Sequence, residues 1–225
     1  AFVSPDATLD AEAEALFGAP VWRFAASQGL LACHAAAVVG DSGRGLVLRA
    51  AGGGGKSTLA LAAWAAGMAL LAEEVTWLDG REGQGALLLR GRPDRVHVAE
   101  SVLAALGTEA LSGDRLPTEG GGGKVRVALD WNPDRLRGSA PAGAVVFLVR
   151  DEAAESGGWR PIGTREAADR WRATAIPGEA SQSTSALAAV DGRLLAGGAY
   201  LLGGDTPARM VERLRAIDAH WEKQA

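Results

Sequence analysis

GLVLRAAGGGGKSTLALAAWAAGMALLAEE, residues Gly45 to Glu74, is the stretch of sequence that decides the fold. Its apolar run, Leu46 to Leu48, is typical of a buried strand. Four glycines follow, and Lys56-Ser57-Thr58 opens an Ala- and Leu-rich segment that favours a helix. Strand, glycine turn, Lys-Ser and helix in this order indicate a phosphate-binding loop. The alternative is a glycine-rich surface turn before an ordinary helix, which the Lys-Ser-Thr placed between a strand and a helix disfavours.

The residue types of this loop suit a nucleoside triphosphate. Glycines let backbone N–H groups approach a phosphate chain closely, and the start of a helix adds donors and a partial positive charge. Lys56 would pair with the β- and γ-phosphates, and the Ser57 hydroxyl would bind Mg²⁺. We therefore predict that ATP, or GTP as the alternative, binds together with Mg²⁺ at Gly52, Gly53, Gly54, Gly55, Lys56, Ser57 and Thr58.

One position departs from the motif G-x-x-x-x-G-K-[ST]. Ala50 stands where the motif has its first glycine. An alanine there costs about 1 kcal/mol if the backbone has positive φ, and little if the backbone is extended.

An acidic pair, Glu73-Glu74, follows the apolar run Met68 to Ala72, which indicates a second buried strand parallel to the first. Ligands of open α/β sheets bind at the carboxyl ends of the strands. We predict that Glu73 accepts a proton from an attacking hydroxyl, and that Glu74 takes part in binding Mg²⁺. The alternative is a solvated acidic pair at the end of a strand.

Four further side chains are candidates for chemistry or for the surface. His34 lies in an apolar stretch, where a lone histidine is more often a core residue than a ligand. Lys124, at the start of an alternating strand, is either a phosphate or substrate contact or an ordinary surface lysine. His97 and His220 are expected on the surface.

Composition limits the classes of function. The chain has 225 residues, 48% of them hydrophobic, and a net charge of -4 without a cluster of Lys or Arg, so we expect no nucleic-acid partner. No apolar run reaches the length of a membrane span, and no secretory signal is visible, so we expect no membrane association. The single cysteine, Cys33, excludes an internal disulfide and favours a reducing cytoplasm.

The order of predicted elements favours one α/β domain over residues 1–225, with a mixed, twisted sheet flanked by helices. We expect a helical N-terminal segment (1–29), a nucleotide-binding core (30–90), a flexible loop (107–123) that is either a lid or a linker, and the remaining strands with a closing helix (124–225). Within the core, Leu30 to Val39 is predicted as one strand that forms a hairpin with the loop strand, and Val75 to Leu78 pairs with Ala86 to Arg90 in a second hairpin.

Helix boundaries are also predicted. Gly67 is expected to end the helix after the glycine loop, and Thr164 to cap a helix over Arg165 to Ala175. A short helix is expected over Ser181 to Val190, and Thr206-Pro207 should open the closing helix.

The same residues resemble a known family. The segments HA-x-A-V, GRGLVL, GGGGKSTLAL and GMALLAEEV are similar to the core of the HPr kinase/phosphorylase family. They are more specifically similar to the stand-alone HPr-kinase-like kinases of bacterial peptide natural-product clusters, such as those of lasso peptides. Specific identity covers about residues 30–80, and beyond that only the layout is similar.

The resemblance implies roles for individual residues. Glu73 takes the place of the catalytic aspartate and Glu74 that of its metal-associated partner, while His34 takes the place of the active-site histidine. Both acids are aspartates in the family, and a glutamate would move a base by about 1.5 Å, which could lower the rate by orders of magnitude. The carboxy-terminal phosphorylase signature is not recognisable, so the reverse reaction is not expected.

The resemblance implies an ATP- and Mg²⁺-dependent kinase that phosphorylates a hydroxyl, in first place a serine of a precursor peptide or a protein. A kinase for a small hydroxylated metabolite and a nucleotide-binding regulatory protein with weakened chemistry are the alternatives. Relatives of this type often form ring-like oligomers, so a homo-oligomer is a further expectation.

Overall fold

The computed structural model describes residues 19–81, 87–93, 95–106, 116–117, 124–129, 132–149, 158–176, 179 and 192–224. The helices are α1 Ala19–Ser27, α2 Lys56–Ala65, α3 Glu100–Ala105, α4 Thr164–Ala173 and α5 Pro207–Glu222. The first strands are β1 Leu30–Cys33, β2 Ala36–Val39, β3 Gly45–Arg49, β4 Ala69–Ala72, β5 Thr76–Asp79 and β6 Leu88–Arg90. The others are β7 Arg95–Ala99, β8 Leu116–Pro117, β9 Lys124–Ala128, β10 Ser139–Val149, β11 Trp159–Ile162 and β12 Ala199–Gly203.

Nine of these strands form the main sheet, which is mixed. Its path runs β1-β5-β6-β10-β3-β2-β4, and β12 joins β10 to β11. Strand β10 pairs in parallel with both β3 and β12, whereas β2 pairs antiparallel with β3 and with β4. Strands β4, β3, β10 and β12 therefore point the same way, with β2 inserted in reverse. A separate three-stranded sheet has the order β7-β9-β8.

Both faces of the main sheet are covered by apolar side chains. Along β3, Leu46 and Leu48 belong to one core cluster, which includes residues of α2 and α5, while Val47 belongs to a second cluster on the opposite face. This explains why the strand is apolar throughout and does not alternate. Helix α2 is buried at most of its positions, which fixes the start of that helix against the sheet.

An ion-pair cluster joins the two strands of the β5–β6 hairpin. The Asp79 carboxylate accepts hydrogen bonds from Arg81 Nη2 at 2.8 Å and from Arg90 Nε at 2.6 Å. The hydrogen bonds from Arg81 and Arg90 hold the pKa of Asp79 well below its ordinary value, against the opposing effect of burial.

Most elements of the core agree with the sequence predictions. The mixed α/β sheet, the hairpin before the glycine loop, the helix after it and the β5–β6 hairpin are confirmed. The left-handed Gly67 follows α2 as expected, and Pro207 lies in the first turn of α5. Strand β4 is parallel to β3 as predicted, although β2 lies between them.

Some predicted boundaries were wrong. The expected single strand from Leu30 to Val39 is two strands, because the chain turns at His34 and Ala35 and its halves pair with different neighbours. Gly163 is the residue before α4, and Thr164 is the first helical residue. The helix expected over 181–190 lies outside the described residues, as do residues 1–18 of the N-terminal segment.

Candidate active site

The topology brings the candidate residues to one edge of the sheet. The glycine loop leaves the carboxyl end of β3, and Glu73 follows the carboxyl end of β4, which points the same way. His34 precedes β2, and since β2 runs in reverse, its amino end lies at this same edge. The insertion of β2 thus places a histidine between the loop and the acidic pair.

The glycine loop has the conformation that its sequence suggests. Gly53 and Gly55 have φ of 72° and 88°, which L-residues with a side chain rarely adopt. The Gly54 N–H donates to the Ala51 carbonyl at 2.9 Å, which tightens the turn. None of the described non-glycine residues has positive φ, so Ala50 sits in the loop without backbone strain. The departure at Ala50 therefore does not distort the loop.

Lys56 is folded back onto this loop. Its side chain is buried, and its Nζ lies 3.4 Å from the Ala50 carbonyl oxygen. A largely buried ammonium beside the loop is arranged to meet an anion, because an anion offsets the cost of keeping the charge away from water. Lys56, Ser57 and Thr58 line a cavity of about 280 Å³ together with the four loop glycines.

The acidic pair lines the same cavity. Glu73 is 5% exposed and its Oε2 accepts a hydrogen bond of 3.0 Å from the backbone N–H of His97. Glu74 is half-exposed, and its Oε2 lies 3.5 Å from His97 Nδ1. The two carboxylates therefore differ in environment: one is buried and oriented, and the other is open to solvent.

His97 was expected on the surface, and this expectation was wrong. It is 35% exposed by its side chain, but it lines the cavity from strand β7 of the smaller sheet. The carboxylates of Glu73 and Glu74 raise the pKa of the His97 imidazole to about 9, against the effect of burial. A cationic His97 thus balances part of the charge of the acidic pair at neutral pH.

His34 also lines the cavity. Burial, followed by the charge of Lys56, lowers the pKa of its imidazole, so the ring is neutral at pH 7. Its backbone is clamped on both sides: its N–H donates to the Glu179 carboxylate, and its carbonyl accepts from Arg49 Nη1 at 3.2 Å. From the residues alone, His34 was more readily explained as a core residue, and the family resemblance favoured a role in the site; the structure places it beside the loop.

Two residues that sequence reasoning missed hold this clamp together. Arg49, fully buried at the end of β3, forms an ion pair of 2.8 Å with Glu179. The guanidinium also lies 4.2 Å from the centre of the Trp171 ring and donates to the Trp171 carbonyl at 3.0 Å. An arginine that ends an otherwise apolar strand was the available signal for this network.

The donor set suits a hard divalent cation. Ligand atoms of Glu73, Glu74 and His97 lie within 4.8 Å of one another, and the Ser57 side chain lines the same cavity. Carboxylate and hydroxyl oxygens are the donors that Mg²⁺ prefers, and imidazole is not. Glu74 and Ser57 thus fit the expected magnesium, with the Glu73 carboxylate beside them, and His97 is better explained as the ion-pair partner of the two carboxylates.

One predicted contact stays a prediction. Lys124 is the first residue of β9, whose strand pairs with β7, but its side chain lies outside the described part of the structure. Of the expected loop 107–123, only Leu116–Pro117 is described, as a short strand paired with β9.

Comparisons with known proteins add little to this geometry. No protein-family model matches the sequence, and the search of curated proteins gives no match. Among solved structures, the chain is similar to the HPr(Ser) kinase/phosphatase from Coxiella burnetii, with a TM-score of 0.44 and 11% identity over 86% of this chain and 99% of that one. A likeness this weak does not establish a function. Within the described ranges, no helix has both the length and the apolar character needed to cross a bilayer.

Proposed function

We propose that this chain is a kinase that binds ATP with Mg²⁺ and transfers the γ-phosphoryl group to a hydroxyl, in first place a serine of a peptide or protein. GTP is the alternative donor. The observation that carries the proposal is the single cavity in which the glycine loop and Lys56 face Glu73 and Glu74. A phosphate cradle alone would support binding, whereas a cradle opposite two carboxylates supports transfer.

In this proposal the loop N–H groups and Lys56 hold the phosphate chain and stabilise the charge that develops on the transferring group. The acceptor oxygen attacks the γ-phosphorus, the bond from that phosphorus to the β-γ bridging oxygen breaks, and ADP leaves. The proton of the acceptor hydroxyl passes to Glu73. Ser57 and Glu74 would hold Mg²⁺, which would supply charge neutralisation to the phosphates.

The two carboxylates suit these different roles. The backbone N–H of His97 fixes one oxygen of Glu73, so this buried carboxylate has a defined orientation toward the cavity. A base must be positioned to within tenths of an ångström, which an exposed glutamate on its own does not achieve. The more exposed Glu74 is open to solvent, which suits a cation that usually keeps several of its waters.

The test is ADP release and intact-mass analysis with serine-containing peptides, above all any encoded beside this gene. We expect a mass gain of one phosphate with the wild type, and a loss of at least about 100-fold in rate for Glu73→Gln, because a general base contributes about 10²- to 10⁴-fold. Lys56→Ala should abolish transfer as well. Glu212→Gln, an exposed glutamate on α5, is the matched control and should behave as wild type.

Two results would overturn the proposal. If Glu73→Gln transferred phosphate at the wild-type rate, Glu73 would not be the general base. ATP binding without transfer to any hydroxyl would leave a nucleotide-binding protein and no kinase.

A further inference from the structure

A second cavity, of about 220 Å³, lies on the other flank of the glycine loop. Gly53, Gly54, Gly55 and Thr58 line both this cavity and the one that holds the acidic pair. The loop therefore forms a shared wall between two chambers. Together their volumes fall in the range of roughly 300–1,000 Å³ that small-molecule sites occupy.

The second chamber differs from the first in chemistry. Away from the loop its walls are mostly aliphatic, from Leu59 of α2, Leu148 and Val149 of β10, and Pro207 and Met210 of α5. Its charged group is Asp205, whose carboxylate accepts hydrogen bonds from the Thr206 N–H at 2.7 Å and from Arg213 Nη2 at 2.9 Å. An apolar chamber with an acidic rim does not suit a phosphate, whereas it suits a flat, uncharged ring.

The position of this chamber follows from the sheet. Strands β10 and β12 are the next parallel neighbours of β3, so their carboxyl ends lie beside the glycine loop. Val149 ends β10, and Gly204 follows β12 at the same edge. The acidic pair, which follows β4, lies on the opposite side of β3. A ligand centred on the loop thus has an acidic, cation-binding end and an apolar end.

We propose that the apolar chamber seats the base and ribose of the nucleotide. The inference rests on the proposed function and fixes the direction in which the nucleotide lies. The γ-phosphate points toward Glu73 and His34, the phosphate chain follows the loop, and the base lies between β10 and the first turns of α5. Thr58, which lines both chambers, lies where the α-phosphate joins the ribose.

The test separates the base from the phosphates by comparing ADP with inorganic pyrophosphate, both with Mg²⁺, in calorimetric titrations. The wild type should bind ADP at least tenfold more tightly than pyrophosphate. Met210→Trp fills the apolar chamber and should weaken ADP binding at least tenfold while leaving pyrophosphate binding within twofold. Ala208→Trp adds the same side chain to an exposed position of the same helix and should change neither affinity.

A second measurement does not depend on any variant. Photolysis of bound 8-azido-ADP should label the segments that hold Val149 and Met210, as read by peptide mass spectrometry. Labelling of the segment that holds His97 would place the base in the other chamber and overturn the inference.

The remaining outcomes also discriminate. Equal affinity of the wild type for ADP and pyrophosphate would show that the apolar chamber does not bind the base. Phosphate binding by the glycine loop would still stand. If the wild type bound neither compound, the proposed function itself would be wrong. If Met210→Trp left ADP binding unchanged but impaired phosphorylation of a peptide, the chamber would belong to the acceptor.

Discussion

Gly54 is a position where the loop has no room for a side chain, and this can be tested with a single methyl group. A Cβ at Gly54 would lie 2.5 Å from the Ala50 Cβ and 2.9 Å from the Ala51 carbonyl oxygen. Both distances are shorter than real contacts, so the loop must shift in Gly54→Ala. Gly52 is the matched control, since a Cβ there would meet nothing within 4 Å and its φ is not positive.

Inserting a methyl group into a packed site costs about 1–3 kcal/mol. For a chain of this length each kcal/mol lowers Tm by about 2–4 °C. We therefore expect the Tm of ligand-free Gly54→Ala to fall by roughly 2–12 °C, and that of Gly52→Ala to stay close to the wild type. Chemical denaturation should give the same order, with an unchanged m-value because the fold is retained.

A double-mutant cycle identifies the contact responsible. Ala50→Gly in the Gly54→Ala background removes the 2.5 Å clash and leaves only the approach to the Ala51 oxygen. The double variant should therefore recover part of the lost stability, with a coupling of about 0.5–3 kcal/mol between the two sites. Equal Tm values for Gly54→Ala and Gly52→Ala, or additive effects at 50 and 54, would refute this account of the loop.

Three further predictions concern the charges around the site. Arg49→Met leaves the buried Glu179 carboxylate without its ion pair and should lower the free energy of unfolding by about 3–5 kcal/mol. Adding Glu179→Met should recover part of this loss. Denaturation of the single and double variants measures both effects, and additive effects would contradict the pairing. Asp79 has a depressed pKa in the folded protein, so its contribution to stability is present above the unfolded-state pKa of about 3.8 and is lost as the pH falls below it. The loss is complete only below the much lower pKa of the folded protein. Asp79→Asn should therefore be less stable than wild type at pH 7, and by a smaller margin at pH 3, and a constant difference across that range would count against the ion pairs. His97→Gln removes an imidazole that lies 3.5 Å from the half-exposed Glu74 carboxylate and 3.8 Å from the buried Glu73 carboxylate. Solvent screens the pair with Glu74, and the backbone N–H that orients Glu73 remains, so we expect a loss in unfolding free energy of about 1 kcal/mol. A much larger loss, measured by urea titration, would mean that the ring supports the fold.

The site residues that belong to a continuous sequence motif were predictable, and those that the fold brings in from distant segments were not. Glycines, Lys56 and Ser57 form one continuous segment whose order is dictated by its chemistry. His97 belongs to a strand of a different sheet, and nothing in an alternating strand tells which side chain will face an acidic pair elsewhere in the chain. Glu179 is likewise joined to Arg49 only through the fold.

The fold itself divides in the same way. Runs of apolar residues predicted most of the core strands, but they did not show where one strand becomes two. Between Leu30 and Val39 no proline, glycine, acidic or basic residue marks the turn at His34. The residues on both sides of the turn are buried, so the apolar pattern continues across it. Strand β10 begins at Ser139, earlier than its apolar run. Its first residues pair with β6, Pro141 with Leu88, and Gly143 lies at a register shift against β3 between Ala142 and Val145.

The pairing of β10 with β3 also limits when the sheet can form during synthesis. Val47, beside the glycine loop, is aligned in the finished sheet with Val145, and β12 comes later still. At a translation speed of about 5–20 residues per second, the ribosome needs roughly 5–20 s to deliver that partner. During this interval one edge of an apolar strand is exposed on the nascent chain, which makes it a target for chaperones or for another copy of itself. The glycine loop is thus synthesised early, and the sheet beside it is completed late.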